Sequence, residues 1–364
     1  MLRVFKRRLI KYIGLLKPTL FVGIFFLGLV ILYRTIFPIY QFTRDNNLSP
    51  ELFISLILNK NFTLKQYQGR TNIILLGISG TSHDGSDLTD SIILMSIDFT
   101  KNDVVLLSIP RDIWIPSLKT KVNSSYHYGQ EKKNDGGITL VKSSVAEITG
   151  QTVSYAWIVD FAGFTKMIDL VGGIDVNIDR SFDDPLYPIS GREDDFCGGD
   201  PTFACRYEKI HFDAGWQHLN GIMALKFVRS RNATGEEGTD FARGKRQLQV
   251  ILALKDKVIK SSIWKKPSTL KNLISTFNET TKTDMNLSEK LMFFRYLFQL
   301  PDEKIRRLVI DTGDKEKKRN GFLINPPEWE YGGIWVLAPR TGDFEEIHQY
   351  ISCQLQNSNC EIKP

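Results

Sequence analysis

TNIILLGISGTSHDGSDLTDSIILMSIDFTKNDVVLLSIPRD, residues 71–112, decides the fold. It contains three short apolar runs, at 71–78, 91–97 and 103–109, each rich in Ile, Leu or Val and each closed by turn residues. Runs of that length and composition predict buried strands. The first leads into a loop rich in Gly, Ser and Asp at 79–88, and the turn-like segment 99–102 joins the other two as a hairpin. Downstream, residues 121–129 (KVNSSYHYG) read as a loop and 137–150 as an amphipathic helix. A strand at 155–159 is followed by a helix at 164–170, stopped by Gly172-Gly173, and by an alternating, half-buried strand at 174–178. Residues 181–215 read as an insertion of turn residues, 219–225 as helical, and a long helix runs to about Lys260. Further helices are expected at 268–277, 287–298 and 344–355, with strands near 305–310 and 334–337. Helices interleaved with short apolar strands predict an α/β fold with helices on both faces of a mixed sheet.

The chemistry concentrates in FVRSRNATGEEGTDFARGKRQLQVI, residues 227–251. Arg229 and Arg231 are two apart, which places them on one face if the segment is a strand. Asp240, Arg243 and Gln247 are three and four apart, which stacks them on one face of a helix. Thr239 or Asp240 is the candidate N-cap, so these groups belong to the first turns. Guanidinium forks beside a helix N-terminus suit a multiply charged anion such as pyrophosphate. Farther along, Ile251, Leu254 and Val258 make the same helix apolar, either as ordinary core or as a wall for a lipid tail. The plain alternative to such a site is that Lys245 and Arg246 are solvated. Asp112 caps a turn, Asp183-Asp184-Pro185 is turn chemistry, and His127 is a loop histidine.

The 364-residue chain has a formal charge of +6, but the excess is local. Residues 1–44 hold eight Lys or Arg and no acid, which leaves 39 basic against 41 acidic side chains in the rest. A near-neutral body argues against general nucleic-acid binding. Residues 18–38 are long and apolar enough for one membrane-spanning helix, with Arg34 snorkelling, and basic residues precede them. That order puts segment 1–17 in the cytoplasm and the body outside the cell membrane. A linker with a short helix is expected at 39–70, and one extracytoplasmic domain at 71–364. Cys197 and Cys205 are eight apart, and Cys353 and Cys360 seven apart. Two local pairs predict disulfides in an oxidising compartment rather than a zinc site.

Taken in order, NIILLG (72–77), TDSIILMSID (89–98), SIPRD (108–112), KVNSSY (121–126), VDFAGF (159–164), LVGGIDV (170–176), LNG (219–221), VRSR and D-x-x-R-x-x-R-Q resemble the LytR-CpsA-Psr (LCP) family of bacterial cell-envelope proteins. The likeness is closest over 71–262. It implies a three-layer α-β-α sandwich with a lipid tunnel. The activity implied is a membrane-anchored phosphotransferase that moves a glycopolymer from a polyprenyl-pyrophosphate carrier to an acceptor such as peptidoglycan. Carried over by motif, Arg111, Lys121, Arg229, Arg231, Arg243 and Gln247 would bind pyrophosphate. Arg111, Asp240 and Arg243 would be catalytic, and Asp90 would hold Mg2+ or Mn2+. Two positions depart from the pattern: Ser79 stands where the family usually has an acid, and Leu88 where it often has an arginine. Asp84 or Asp87 would be the substitute carboxylates. The departures leave a second reading, a module that binds polyprenyl phosphates without turnover. An older label of the family, transcriptional attenuator, is opposed by a basic cytoplasmic segment of only about 17 residues.

Overall fold

A computed structural model describes residues 64–80, 86–133, 136–192, 194–260, 267–314 and 319–356, with isolated positions elsewhere. The chain divides into two units. One is Met1–Phe62 with Leu287–Met292, and the other is Thr63–Asn286 with Phe293–Pro364. Of the first 62 residues only Val30, Tyr33, Arg34, Phe37 and Arg44 are described, all helical, with Tyr33 stacked on Phe37 at 5.0 Å. The rest of the expected membrane span at 18–38 and the linker helix lie outside the described residues. Among the described residues no helix is long and apolar enough to cross a membrane.

In the larger unit the strands are β1 (Thr71–Ile78), β2 (Thr89–Asp98), β3 (Asp103–Ile109) and β4 (Tyr155–Asp160). They continue with β5 (Ile174–Ile178), β6 (Phe182–Pro188), β7 (Tyr207–Phe212), β8 (Gly215–Leu219), β9 (Thr281–Thr283) and β10 (Ile305–Val309). The helices are α1 (Ser125–Lys132), α2 (Gly136–Thr149), α3 (Phe161–Leu170) and α4 (Gly221–Arg229). Then come α5 (Asp240–Lys260), α6 (Pro267–Thr280), α7 (Leu287–Gln299) and α8 (Glu345–Gln356).

Six strands form one mixed sheet in the order β9-β4-β1-β2-β3-β10. The pairs β1–β4 and β3–β10 are parallel, and the other three are antiparallel. Register decides which side chains share a face. Ile74 lies opposite Leu94, and Leu94 opposite Leu107. These three join Val141 and Val145 of α2 and Ile347 and Ile351 of α8 in one core. Their neighbours Ile73, Met95 and Leu106 point the other way, to a core that includes Leu248 of α5 and Phe293 of α7. The expected mixed sheet with helices on both faces is therefore present.

A second assembly supports the arginine segment. β5 pairs with β8, and β6 with β7, both antiparallel. Their buried residues meet α3, α4 and α5 in a separate core around Phe182, Phe212 and Phe227. Ring centroids there are 5.3 Å apart for Phe182–Phe212 and 5.2 Å for Phe212–Phe227.

Four expectations need correction. Residues 121–129 are not a loop: a 3-10 turn at Val122–Ser124 runs into α1. Their small residues serve a helix crossing, since a Cβ on Gly129 would lie 2.6 Å from the Gly136 carbonyl. Residues 181–215 contain the β6–β7 hairpin, with the first cysteine pair in the loop between its strands. Arg229 ends helix α4 rather than lying in a strand: the helix starts at the Asn220 cap, which accepts from the Met223 N–H at 2.9 Å, and its hydrogen bonding continues until the Ser230 N–H reaches the Lys226 carbonyl at 3.0 Å. The strand expected near 334–337 is short and lies just beyond that range: Leu337 makes one bridge to Ile113, and Ala338–Pro339 pairs with Leu323–Ile324. Both expected disulfides are formed, Cys197–Cys205 and Cys353–Cys360.

Candidate functional site

Four chain segments meet at one rim of the sheet. The end of β1 pairs with the end of β4, Ile78 with Asp160, and with the start of β2, Ile78 with Thr89. Ile92 of β2 pairs with Ile109, where β3 ends. Residues just beyond the carboxyl ends of β1, β3 and β4 therefore surround the start of β2, the position where open α/β sheets bind ligands.

Asp90 and Arg111 form an ion pair across this rim, each side chain partly exposed. Arg111 Nε also lies 3.5 Å from Asp112 Oδ2. Asp112 is buried, and its other oxygen accepts from Lys121 Nζ at 2.8 Å. The Lys121 ammonium in turn sits 5.7 Å from the Trp335 ring centroid. Asp112 thus braces two cations rather than merely capping a turn.

Helix α5 enters from the second face of the sheet. Of its two N-cap candidates Thr239 holds the position, its hydroxyl accepting from the Ala242 N–H at 3.1 Å. Asp240 is the first residue of α5; its side chain lies outside the described part of the structure. Gly244 lets the helix approach closely, since a Cβ there would stand 2.6 Å from Ser108 Oγ. One turn on, Gln247 Nε2 donates to Ser91 Oγ at 2.6 Å, next to Asp90. Arg243, 8% exposed, is four residues earlier on the same face. The N-terminal turns of α5, with the positive end of its dipole, therefore lie at the rim.

Arg229 reaches the rim from α4. Its guanidinium carbon is 4.4 Å from the ring centroid of Phe161, the residue that follows β4. Nη1 is 3.5 Å from the Tyr187 hydroxyl. Burial raises the Tyr187 pKa against the pull of Arg229, so the phenol stays protonated and neutral near pH 7. Arg231 has an exposed side chain and a held backbone, its N–H donating to Asp184 Oδ2 at 3.1 Å. Asp184 is fully buried and also accepts from Ser230 Oγ and the N–H groups of Leu186 and Asn232.

The reading of Lys245 and Arg246 as solvated fails for Arg246. It is 2% exposed and donates to the carbonyls of Phe227, Ser230 and Glu237 and to the Glu237 carboxylate. Burial lowers its pKa and Glu237 opposes that, so its charge is spent on holding α5 to α4. Lys245 pairs with Asp179 on the outside. Of the apolar set on α5, Ile251 packs on the core beneath the sheet, and Leu254 and Val258 on the second core. All three stay half-buried.

The rim therefore gathers Asp90, Arg111, Lys121, Arg243, Gln247 and Arg229. Sequence reasoning missed Asp112 and Asp184 as braces, Ser91 as the seat of Gln247, and Phe161 as the platform for Arg229. The signal for Phe161 was its place directly after a strand; Asp184 carried none, since its partners lie 46 and 48 residues away. As for a metal, Asp90 pairs with Arg111 at the partly exposed rim, whereas Asp112 braces Lys121 and Asp160 caps α3 by accepting from the Gly163 N–H. Asp84 lies outside the described residues, and Asp87 is half-buried. The one described cluster of three metal-ligand side chains, Asp195 with Cys197 and Cys205, is elsewhere, its two sulfurs joined in the disulfide. A partly exposed carboxylate beside several guanidinium and ammonium groups suits magnesium, which takes one or two protein carboxylates and completes its shell with other oxygens and water.

A mixed α/β sheet whose strand ends carry a cluster of arginines is the class these observations define. The chain belongs to the LytR_cpsA_psr family, which it matches over residues 42–328. It is 27% identical over 250 residues to the polyisoprenyl-teichoic acid–peptidoglycan teichoic acid transferase TagV of Bacillus subtilis strain 168, covering 67% of this chain and 57% of that protein. The chain thus spans little more than half the length of that relative. The crystal structure of B. subtilis TagV aligns at a TM-score of 0.54 and 22% identity, over 81% of this chain and 100% of that one. TagT bound to LI-WTA aligns at 0.52 and 19% identity, over 81% and 95%. These structural likenesses establish a shared mixed α/β fold.

Proposed function

We propose that the protein is a membrane-anchored phosphotransferase that moves a glycopolymer from a polyprenyl-pyrophosphate carrier to a cell-envelope acceptor such as peptidoglycan. The observation that carries this reading is the convergence of Arg111, Lys121, Arg243, Gln247 and Arg229 around Asp90 at one sheet rim. The names of its relatives support the substrate class.

Guanidinium forks bind pyrophosphate oxygens with directional, charge-assisted hydrogen bonds. Arg111 and Arg243 take the charge that grows on the non-bridging oxygens as the phosphoanhydride opens. Arg229, Lys121 and Gln247 orient the two phosphoryl groups. Asp240, at the start of α5, orients the acceptor or the arginines. An acceptor hydroxyl attacks the sugar-bearing phosphorus directly, and polyprenyl phosphate leaves. Asp90 would hold Mg2+ or Mn2+, which supplies further neutralisation of phosphate charge when bound. The half-buried apolar residues of α5 shelter the prenyl chain. Residues 18–38 serve as the anchor with the body outside the membrane, a placement that suits two disulfides.

The test is phosphate release from a prenyl pyrophosphate by the full chain with magnesium. Wild type releases phosphate, whereas Arg243→Ala and Asp90→Ala lose about 10²–10³-fold. Ser79 and Leu88, at the positions that depart from the family pattern, favour one rival, a binding module without turnover. Tight lipid binding with no release, still weakened by Arg243→Ala, would establish that rival instead.

A further inference from the structure

A groove of about 630 Å³ runs beside α5, on the flank formed by the β5–β8 ribbon. That volume falls within the range of small-molecule sites. In the ribbon Trp216 lies opposite Asn177, and His218 opposite Asp175, so all four share one face. That face is the exposed one, since Ile174, Val176 and Ile178 between them are buried. Trp216 is 76% exposed, which leaves the face of its indole open to a ligand. Gln249 of α5 bridges to the ribbon by donating to the Asn177 carbonyl at 3.3 Å, which leaves two planar amides beside the indole.

The charges of the groove nearly cancel. Asp175, Asp179 and Asp256 face Lys257, Lys260 and Arg307. Several are already paired: Asp175 accepts from His218 at 2.7 Å and lies 3.5 Å from Lys257, and Asp256 lies 2.7 Å from Lys260. A balanced, internally paired wall gives no advantage to a polyanion such as a nucleic acid or a polyphosphate. An exposed indole supplies a flat apolar face, and amides and carboxylates supply donors and acceptors in fixed planes. A sugar ring presents the matching chemistry, with an apolar C–H face and a rim of hydroxyls.

We infer that this groove binds an uncharged oligosaccharide, with one pyranose ring stacked on Trp216 and its hydroxyls held by Asn177, Gln249 and Asp175. The site is separate from the pyrophosphate rim, because Gln249 and Gln247 lie about 200° apart around α5. It rests on the transfer reading only in its purpose, which is to hold a glycan acceptor strand close to the reacting end of the carrier.

The experiment titrates the full chain in detergent with chitotriose and, separately, with maltotriose, following heat by calorimetry with no donor lipid present. Saturable binding of at least one sugar is expected, weakened at least tenfold by Trp216→Ala, severalfold by Asn177→Ala, and not by Arg243→Ala. Trp216→Phe retains part of the affinity, because it keeps an aromatic face. Trp216→Ala keeps its wild-type unfolding transition and its phosphate release from prenyl pyrophosphate. Absence of saturable sugar binding, or equal binding by Trp216→Ala, overturns the inference, and so does a preference for an anionic polymer over both sugars. Loss of phosphate release with sugar binding intact would instead count against the transfer reaction alone.

Discussion

Asp112 and Asp184 govern the site at the scale of single residues. Asp112 holds Lys121 at 2.8 Å and lies 3.5 Å from Arg111, so its loss frees two cations at once. Asp112→Ala is expected to lower turnover of the lipid substrate about 10²-fold, the cost of a small misplacement of binding groups. Asp112→Asn, which keeps an acceptor for Lys121, recovers part of it; steady-state kinetics on both variants checks this. Asp184 satisfies one hydroxyl and three backbone N–H groups from a fully buried position. Asp184→Ala should therefore cost at least about 3 kcal/mol in urea unfolding, since each unsatisfied buried donor costs about 1–3 kcal/mol. Motif order grouped Asp90, Arg111, Arg243 and Gln247; in the fold Asp90 pairs with Arg111, and Gln247 bonds to Ser91 beside them with Arg243 one turn earlier on the same helix. The braces were not legible, because a carboxylate in a D-D-P turn looks the same whether or not a distant loop folds onto it.

At the scale of elements, the sheet is locked at its opposite end by a network around Arg70. Its guanidinium donates to Ser96 Oγ at 2.8 Å and to the Leu355 carbonyl at 3.1 Å, and it pairs with Asp103 at 3.0 Å. Arg306 of β10 reaches the same carboxylate at 2.9 Å and the Gln354 carbonyl at 2.8 Å, which ties β3, β10 and α8 together. Burial works to raise the Asp103 pKa, but Arg306 and Arg70 outweigh it and hold it below the usual value. Asp98 is lowered as well, where burial is outweighed by the Thr100 hydroxyl, the N–H groups of Lys101 and Thr100, and Arg70. A carboxylate with a depressed native pKa gives stability that is present above its unfolded value, about 4, and lost as pH falls through the native value. Melting temperature should thus decline below about pH 4, and Asp103→Asn should lower it at pH 7 and flatten the acid decline. Helix boundaries tell a related story. The stretch 121–129 (KVNSSYHYG) looked like a loop, yet its Gly129 permits the α1–α2 crossing. Gly129→Val, which places atoms on the Gly136 backbone, should destabilise by about 1–3 kcal/mol in the same unfolding assay. The Arg229–Arg231 segment looked like a strand because spacing alone does not show that the Asn220 cap carries α4 through to Arg229.

For the whole molecule, the mixed sheet with helices on both faces followed from hydrophobic periodicity, because β1 to β4 are long enough for their apolar runs to stand out. The ribbon and hairpin that support the arginines did not, since short half-exposed strands separated by glycines and a disulfide loop read as turns. Topology is the property to test at this scale. A C-terminal fusion to alkaline phosphatase, which is active only outside the cytoplasm, should be active in the full chain and inactive when residues 18–38 are deleted. The central claim is transfer, and the most direct measurement supplies the full chain with polyprenyl-pyrophosphate-linked glycopolymer, purified peptidoglycan and magnesium. Polymer bound covalently to peptidoglycan and free polyprenyl phosphate are then counted together. The account predicts that both appear in equal amounts and that both disappear in Arg243→Ala. Donor bound at the rim with neither product formed would contradict it.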